Sequence, residues 1–220
     1  MNDVGVDSRK VRVIWNAVDY SVWTPVPAPE PCPPAILVPR RLVIKNGVHI
    51  LIEAFASVRT ALEDRATLLV AGDGPERRRL EELVHALGVS HQVQFLGALS
   101  RPEVAATMQR CRAVAIPSIP VAGVVEAASM AALEAMSSGK VIIASAIGGL
   151  SELIRNGDTG ILCPDGDVEA WGQRLREFFE MDQQSVRGMG DRARQYVIAH
   201  HDPDQWAREI KNVYREVARN

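Results

Sequence analysis

The sequence predicts an α/β protein, a doubly wound parallel sheet of about six strands with helices on both faces. Short apolar runs alternate with segments of helical apolar spacing from about residue 36 to residue 200, the pattern of successive strand–helix units. The runs are mostly continuous in their apolar residues rather than alternating, as strands covered on both faces require. The chain has 220 residues, 47% hydrophobic and 24% charged. That is enough apolar material for a sizeable core.

In chain order, Val11–Trp15 alternates and reads as a strand, with a turn at Asn16–Asp19. Residues 25–34 hold six prolines and fit neither a helix nor a central strand, so they read as a stiff linker or surface loop. Strands are expected at Ile36–Arg41, Thr67–Ala71, Val93–Leu96, Ala113–Pro117, Val141–Ser145 and Ile161–Cys163. Helices are expected at Gly47–Leu62, Pro75–Leu87, Pro102–Cys111, Val125–Ser138 and Leu150–Ile154, with a turn at Gly157–Gly160. Three more helices follow at about 167–181, 185–200 and 203–218. The organisation is therefore 1–35, a strand and proline-rich linker; 36–200, the sheet domain; and 203–220, a terminal helix.

Composition excludes several function classes. Lys plus Arg is 25 and Asp plus Glu 27, a formal charge of -2, without the basic excess of a nucleic-acid binder. No apolar run reaches the roughly 18 residues of a membrane span, and residues 1–30 lack the pattern of a signal peptide. Cys32, Cys111 and Cys163 are far apart, so reduced thiols and a cytoplasmic location are the expectation. There is no CxxC or HExxH, and His200 and His201 are adjacent, so no metal site is indicated. Neither GxxxxGK[ST] nor GxGxxG occurs where a P-loop or a dinucleotide fold needs it.

In doubly wound sheets a ligand binds beyond the carboxyl ends of the strands, where strand order reverses. With the common order 3-2-1-4-5-6, the loops to inspect follow the first and fourth strands. The first reads Arg40-Arg41-Leu-Val-Ile-Lys45-Asn46-Gly47 before a helix: cations and helix amides that suit an anion, or simply a solvated basic loop. The second lies in the 27 residues between Arg112 and Lys140, where only Glu126 and Glu134 are charged. On one helix they would stand about 12 Å apart, too far to flank one bond but suited to separate hydroxyl-bearing parts of an extended ligand. The plainer alternatives are a first-turn acid favoured by the helix dipole and an exposed helix position. Gly72 and Gly74, and Gly148 and Gly149, follow the second and fifth strands, where glycine allows close backbone approach to a ligand.

Taken together, these residues resemble a known family. Val125-Glu126-Ala-Ala-Ser-Met-Ala-Ala-Leu-Glu134 through Ser145 is similar to the E-x7-E signature of retaining glycosyltransferase family four, also called group 1. Val13-Ile-Trp-Asn-Ala-Val-Asp19, Arg41-Leu42 with Lys45-Asn-Gly-Val48, and Val70-Ala-Gly-Asp-Gly-Pro75 resemble further family marks. So do Val93–Gly97, Gly148–Glu152 and Asn156–Leu162, over roughly residues 5–180.

The resemblance implies one Rossmann-like half of a two-half GT-B architecture: the C-terminal half, which holds an activated sugar donor. Gly5–Lys10 resembles the end of the preceding half. By resemblance, the catalytic residues are Arg41 and Lys45, which neutralise the leaving diphosphate, and Glu126, which accepts donor-sugar hydroxyls. Glu134 would bind the ribose, the backbone of Ala127, Ala128, Ser129 and Met130 the phosphate or sugar, and the segment with Val93 and Phe95 would border the base. Gly72, Gly74, Gly148 and Gly149 complete the donor site.

The implied donor is a nucleotide-diphosphate sugar, with no cofactor and no metal required. The acceptor, a glycan, lipid or small molecule, would meet the N-terminal half, and the full-length enzyme would be cytoplasmic and peripheral to the membrane. The terminal helix, with its stripe Trp206, Ile210, Val213, Tyr214 and Val217, would cross to that half, or favour self-association of the fragment. Two departures stand out. Ala127-Ala128-Ser129 replaces the usual Gly-Phe-Gly, and Asn46 stands directly before Gly47 where the family usually has lysine, Lys45 coming one residue earlier. Rival readings are a nucleotide-sugar epimerase of the same architecture and a non-catalytic nucleotide-sugar-binding module.

Overall fold

The computed structural model describes residues 10–26, 34–59 and 66–218. Strands β1 (Ala35–Pro39), β2 (Thr67–Ala71), β3 (Val93–Gly97), β4 (Ala113–Ile116), β5 (Val141–Ser145) and β6 (Ile161–Cys163) form one sheet in the order β3-β2-β1-β4-β5-β6. Every pairing is parallel. The anticipated doubly wound α/β fold is what forms, and its order reverses between β1 and β4.

The helices are α1 (Val48–Val58), α2 (Arg77–Ala86), α3 (Arg101–Gln109), α4 (Met130–Ser137), α5 (Gly148–Leu153), α6 (Val168–Glu180), α7 (Gln183–His200) and α8 (Pro203–Val217). Side chains alternate across each strand, so both faces of the sheet become core. Ile36, Val38, Leu68, Val70, Ala113, Ala115, Val141 and Ile143 join the cluster that contains Phe55 of α1 and Trp171, Leu175 and Phe178 of α6. Leu37, Val114, Ile116, Ile142 and Ala144 join the other, with Met108, Leu133, Met136, Ala193 and Val197. This two-sided burial is why the strands read as unbroken apolar runs.

Helix starts follow local capping chemistry. Asp167, Asp182 and Asp202 cap α6, α7 and α8, their side chains accepting from the amides of Ala170, Ser185 and Gln205 at 2.9, 2.8 and 2.7 Å. Each satisfies a donor that the first helical turn leaves free. At α3 the Glu103 carboxylate reaches back to the Ser100 amide at 2.7 Å, and Pro102 occupies the first turn, where its missing N–H costs nothing.

Two expectations are corrected. Val11–Trp15 is not a strand: its alternation is real, but no described strand lies beside it to complete a ladder. The segment instead runs along α8, and Val13, Trp15 and Trp206 wall a shallow cleft there. The helix expected from Val125 begins only at Met130, with Ser129 as its N-cap. In a helix the Glu126 carbonyl would accept from residue 130, but here it accepts from the Gly149 amide at 3.0 Å, which holds 125–128 outside the helix. Glu126 and Glu134 therefore do not share a helix.

Residues 27–33 of the proline-rich stretch, Cys32, Gly5–Arg9 and the expected helical residues 60–62 lie outside the described residues. Helix α8 has no buried residue, and its Tyr214 and Val217 are 74% and 70% exposed. It touches the rest of the molecule through Tyr20, whose hydroxyl donates to Asp202 at 2.8 Å, and through the exposed Arg12–Glu216 pair.

Candidate donor site

At the carboxyl ends of β1, β2 and β3 lies a cavity of about 380 Å³. Pro39, Arg40 and Arg41 leave β1 on one side, and Ala71, Gly72 and Asp73 leave β2 on the next. Ala98, Leu99, Arg101 and Val104 border it beyond β3, while Ala131 and Glu134 of α4 and Trp23 of the N-terminal segment close it. Apolar walls with a few polar groups are the usual make-up of a small-ligand site. Its place is the one that the sheet topology dictates.

Of the residues expected in the site, Arg41, Gly72 and Glu134 line this cavity. Glu134 is 16% exposed, with Oε1 3.2 Å from Nη2 of Arg101. Burial pushes its carboxyl above the usual carboxylate range, and Arg101 partly opposes this. Arg41 and Lys45 are both exposed, but Lys45 is not part of the cavity wall. Val93 sits at the start of β3, the end away from the cavity. Phe95 packs with the α1–α2 side of the core under the Arg77 guanidinium, 5.0 Å from the ring centroid. The wall next to β3 is formed instead by Ala98, Leu99, Arg101 and Val104. Ala127 and Ala128 are exposed loop residues, and Met130 opens α4.

The glycines act on the protein's own backbone. A Cβ at Gly72 would stand 1.9 Å from the Arg40 carbonyl oxygen, and one at Gly74 2.3 Å from that of Leu42. A Cβ at Gly149 would stand 1.9 Å from the Ala127 carbonyl oxygen, and one at Gly148 2.2 Å from that of Glu126. The close approach expected toward a ligand is thus an approach of one loop to another. The turn after β2 supports Arg40–Leu42, and the turn after β5 supports Glu126–Ala127.

What these loops bring together is a pair that sequence reasoning left half unread. Nη2 of Arg40 lies 2.7 Å from Oε2 of Glu126, with the side chains 10% and 14% exposed. Ser118 Oγ also donates to that oxygen, at 3.1 Å. Glu126 was expected in the site, whereas Arg40 was noted only as part of a basic loop. The available signal was the doubled arginine at a strand end, but it did not say which of the two turns inward. Among the described residues no three His, Cys, Asp or Glu side chains gather as metal ligands, and no helix is long and apolar enough to cross a membrane.

Comparison with known proteins bears on the family and the fold. The family model described as Glycosyl transferases group 1 matches residues 25–196. The chain is 30% identical over 208 residues to the putative colanic acid biosynthesis glycosyltransferase WcaL of Escherichia coli (strain K12), covering 93% of this chain and 50% of that protein. Sucrose-phosphate synthase from Thermosynechococcus elongatus has a similar structure, with a TM-score of 0.80 at 26% identity over 94% of this chain and 52% of that one. Anabaena HepE, solved in complex with UDP, shares the fold with a TM-score of 0.85 at 23% identity, over 96% of this chain and 59% of that one. The chain spans about half the length of the curated relatives it matches. With its Rossmann-like sheet, GT-B-like structural neighbours and a family match over most of its length, the chain belongs to the group 1 glycosyl transferases.

Proposed function

We propose that this chain is the donor-binding half of a retaining transferase of family four, one that moves a sugar from a nucleotide-diphosphate sugar to an acceptor. The observation that carries the reading is the cavity at the strand ends, lined by the partly buried carboxylate of Glu134 and by the arginines Arg40 and Arg41. In this reading Glu134 accepts the ribose hydroxyls, and the wall of Ala98, Leu99 and Val104 takes the flat apolar base. The diphosphate lies toward the arginines. As the sugar–oxygen bond breaks, negative charge grows on the leaving phosphate, and fixed cations at that point lower the barrier. Glu126 Oε1, which has no hydrogen bond among the described residues, is left to accept a donor-sugar hydroxyl.

The acceptor, a glycan, lipid or small molecule, then sits against the N-terminal half that the family resemblance implies, and the exposed stripe of α8 is the surface that reaches toward that half. Charge neutralisation by arginine lets this chemistry run without a metal. A cytoplasmic enzyme peripheral to a membrane would fit a lipid-linked acceptor.

The test is thermal denaturation with ADP, GDP and UDP. Binding to the native state at a hundredfold excess over Kd adds about 2.7 kcal/mol, a Tm rise of about 5–10 °C for a chain of this size. No rise with any nucleoside diphosphate at millimolar concentration would refute the donor reading.

A further inference from the structure

We infer that Arg40 is the phosphate-directed cation of the site, standing in for the lysine that the family resemblance places at position 46. This rests on the donor reading above and assigns its phosphate end to a particular residue. The Arg40 backbone is fixed by its amide, which donates to the carbonyls of Val38 and Ala71 at 3.1 and 3.0 Å. Its side chain is nine-tenths buried, and the residue lines the cavity.

The donors of that guanidinium are unevenly used. Nη2 faces three acceptors: Asn46 Oδ1 at 2.6 Å, Glu126 Oε2 at 2.7 Å and Ser118 Oγ at 2.9 Å. Among the described residues, Nη1 has one long contact, Ser129 Oγ at 3.4 Å, and Nε is buried with no partner. A buried N–H without an acceptor is costly and rare. An incoming phosphate, with several acceptor oxygens, would satisfy it, and arginine is well suited to hold phosphate and carboxylate together.

Asn46 supports the same assignment. It is buried, and both ends of its amide are used, Oδ1 on Arg40 and Nδ2 on the Arg41 carbonyl at 2.6 Å. The neutral side chain at 46 thus holds a cation that arrives from six residues upstream. Where a lysine at 46 would bring its charge to this spot, the chain supplies it from Arg40. Lys45 is exposed and outside the cavity wall, so it does not take over that task. Glu126, through Oε2, is a positioning residue for Arg40.

The experiment compares calorimetric affinities for ADP, GDP and UDP with those for the matching nucleosides. Arg40→Gln should lower diphosphate affinity by about tenfold or more, the worth of one charge-assisted hydrogen bond, and leave nucleoside affinity within about twofold. Arg40→Gln/Glu126→Gln removes both charges, so no unpaired buried ion threatens the fold, and should show the same phosphate-specific loss. Arg40→Ala/Asn46→Lys should regain most of the diphosphate affinity, because the new ammonium enters the vacated space. Lys45→Ala should change neither affinity by more than about threefold. Diphosphate affinity unchanged in both folded Arg40→Gln variants, or a phosphate-specific loss in Lys45→Ala, would overturn the assignment while leaving the donor reading intact. A wild-type chain that binds no diphosphate would overturn both.

Discussion

Replacing Gly149 with alanine should destabilise this protein, although glycine-to-alanine changes in unstrained surroundings usually do the opposite. The added methyl would stand 1.9 Å from the Ala127 carbonyl oxygen and 2.8 Å from its carbon, whereas real contacts of this kind stay beyond 3.0 Å. One of the two backbones must retreat by roughly 1 Å, and overpacking of this sort costs about 1–3 kcal/mol. Loss of unfolded-chain entropy returns about 0.4–1 kcal/mol. The net effect is a destabilisation of about 1.3 kcal/mol at the centre of the range and about 2.6 kcal/mol at most, the central value lowering Tm by about 3–5 °C. Gly188 in α7 is the control. A Cβ there meets only the end of the flexible Arg192 side chain, at 3.4 Å, so Gly188→Ala should raise stability by about 0.5–1 kcal/mol. Thermal melts of the two variants should therefore move in opposite directions. Because Gly149 supports the loop that carries Glu126, only its variant should also lose diphosphate affinity. A Gly149→Ala protein with a Tm at or above wild type and unchanged binding would refute the loop-support argument.

Other outcomes are equally specific. Glu134→Gln should weaken nucleotide binding by about tenfold or more while leaving pyrophosphate binding nearly unchanged; equal nucleotide affinity in the folded variant would remove Glu134 from the ribose role. Burial raises the Glu134 carboxyl above its ordinary 4.5, so its contribution to stability is present below that value and is lost as pH rises through the folded one. The Gln variant should accordingly be at least as stable as wild type at pH 7, since Arg101, the partner it leaves, is mostly exposed. His201 is buried, its Nδ1 2.8 Å from the Asn16 carbonyl, and burial lowers its pKa from 6.5. Its contribution is therefore complete above about 6.5 and is lost as pH falls through the lower folded value. The urea midpoint should drop more between pH 7.5 and pH 5.5 in wild type than in His201→Gln, and equal drops would exclude the effect. Cys163 is buried and its thiol is pushed up to about 12, so alkylation followed by peptide mapping should find it unmodified until the protein unfolds.

The sheet was legible because buried parallel strands must be apolar on both faces, and runs such as Val141–Ser145 show that directly. The features that escaped sequence reading depend on distant contacts. Val125–Ser129 is compatible with helix in composition, and only the Gly149 amide, from the turn after β5, draws the Glu126 carbonyl away. Val11–Trp15 has strand alternation, but a strand also needs a neighbour. Arg40 and Arg41 are indistinguishable locally, and what selects Arg40 is a carboxylate 86 positions away. Conversely, Glu134 stands out in the sequence as one of two charges between Arg112 and Lys140, and Gly72 as a glycine in the turn after the second strand; both line the cavity.

The wall that Trp23 gives to the cavity makes the protein its own optical reporter. Of the four tryptophans, Trp15 and Trp206 lie at the surface, 37% and 41% exposed, and Trp171 is sealed in the cluster on the opposite face of the sheet. Trp23 is 1% exposed and borders the cavity beside Arg101, whose guanidinium carbon is 5.7 Å from the ring centroid. A ligand that displaces Arg101 or fills the space beside the indole changes the polarity around that one ring and leaves the other three as they were. In a Trp15→Phe/Trp206→Phe background, the emission of Trp23 against a constant Trp171 signal would then follow occupancy of the cavity in real time, with no added dye.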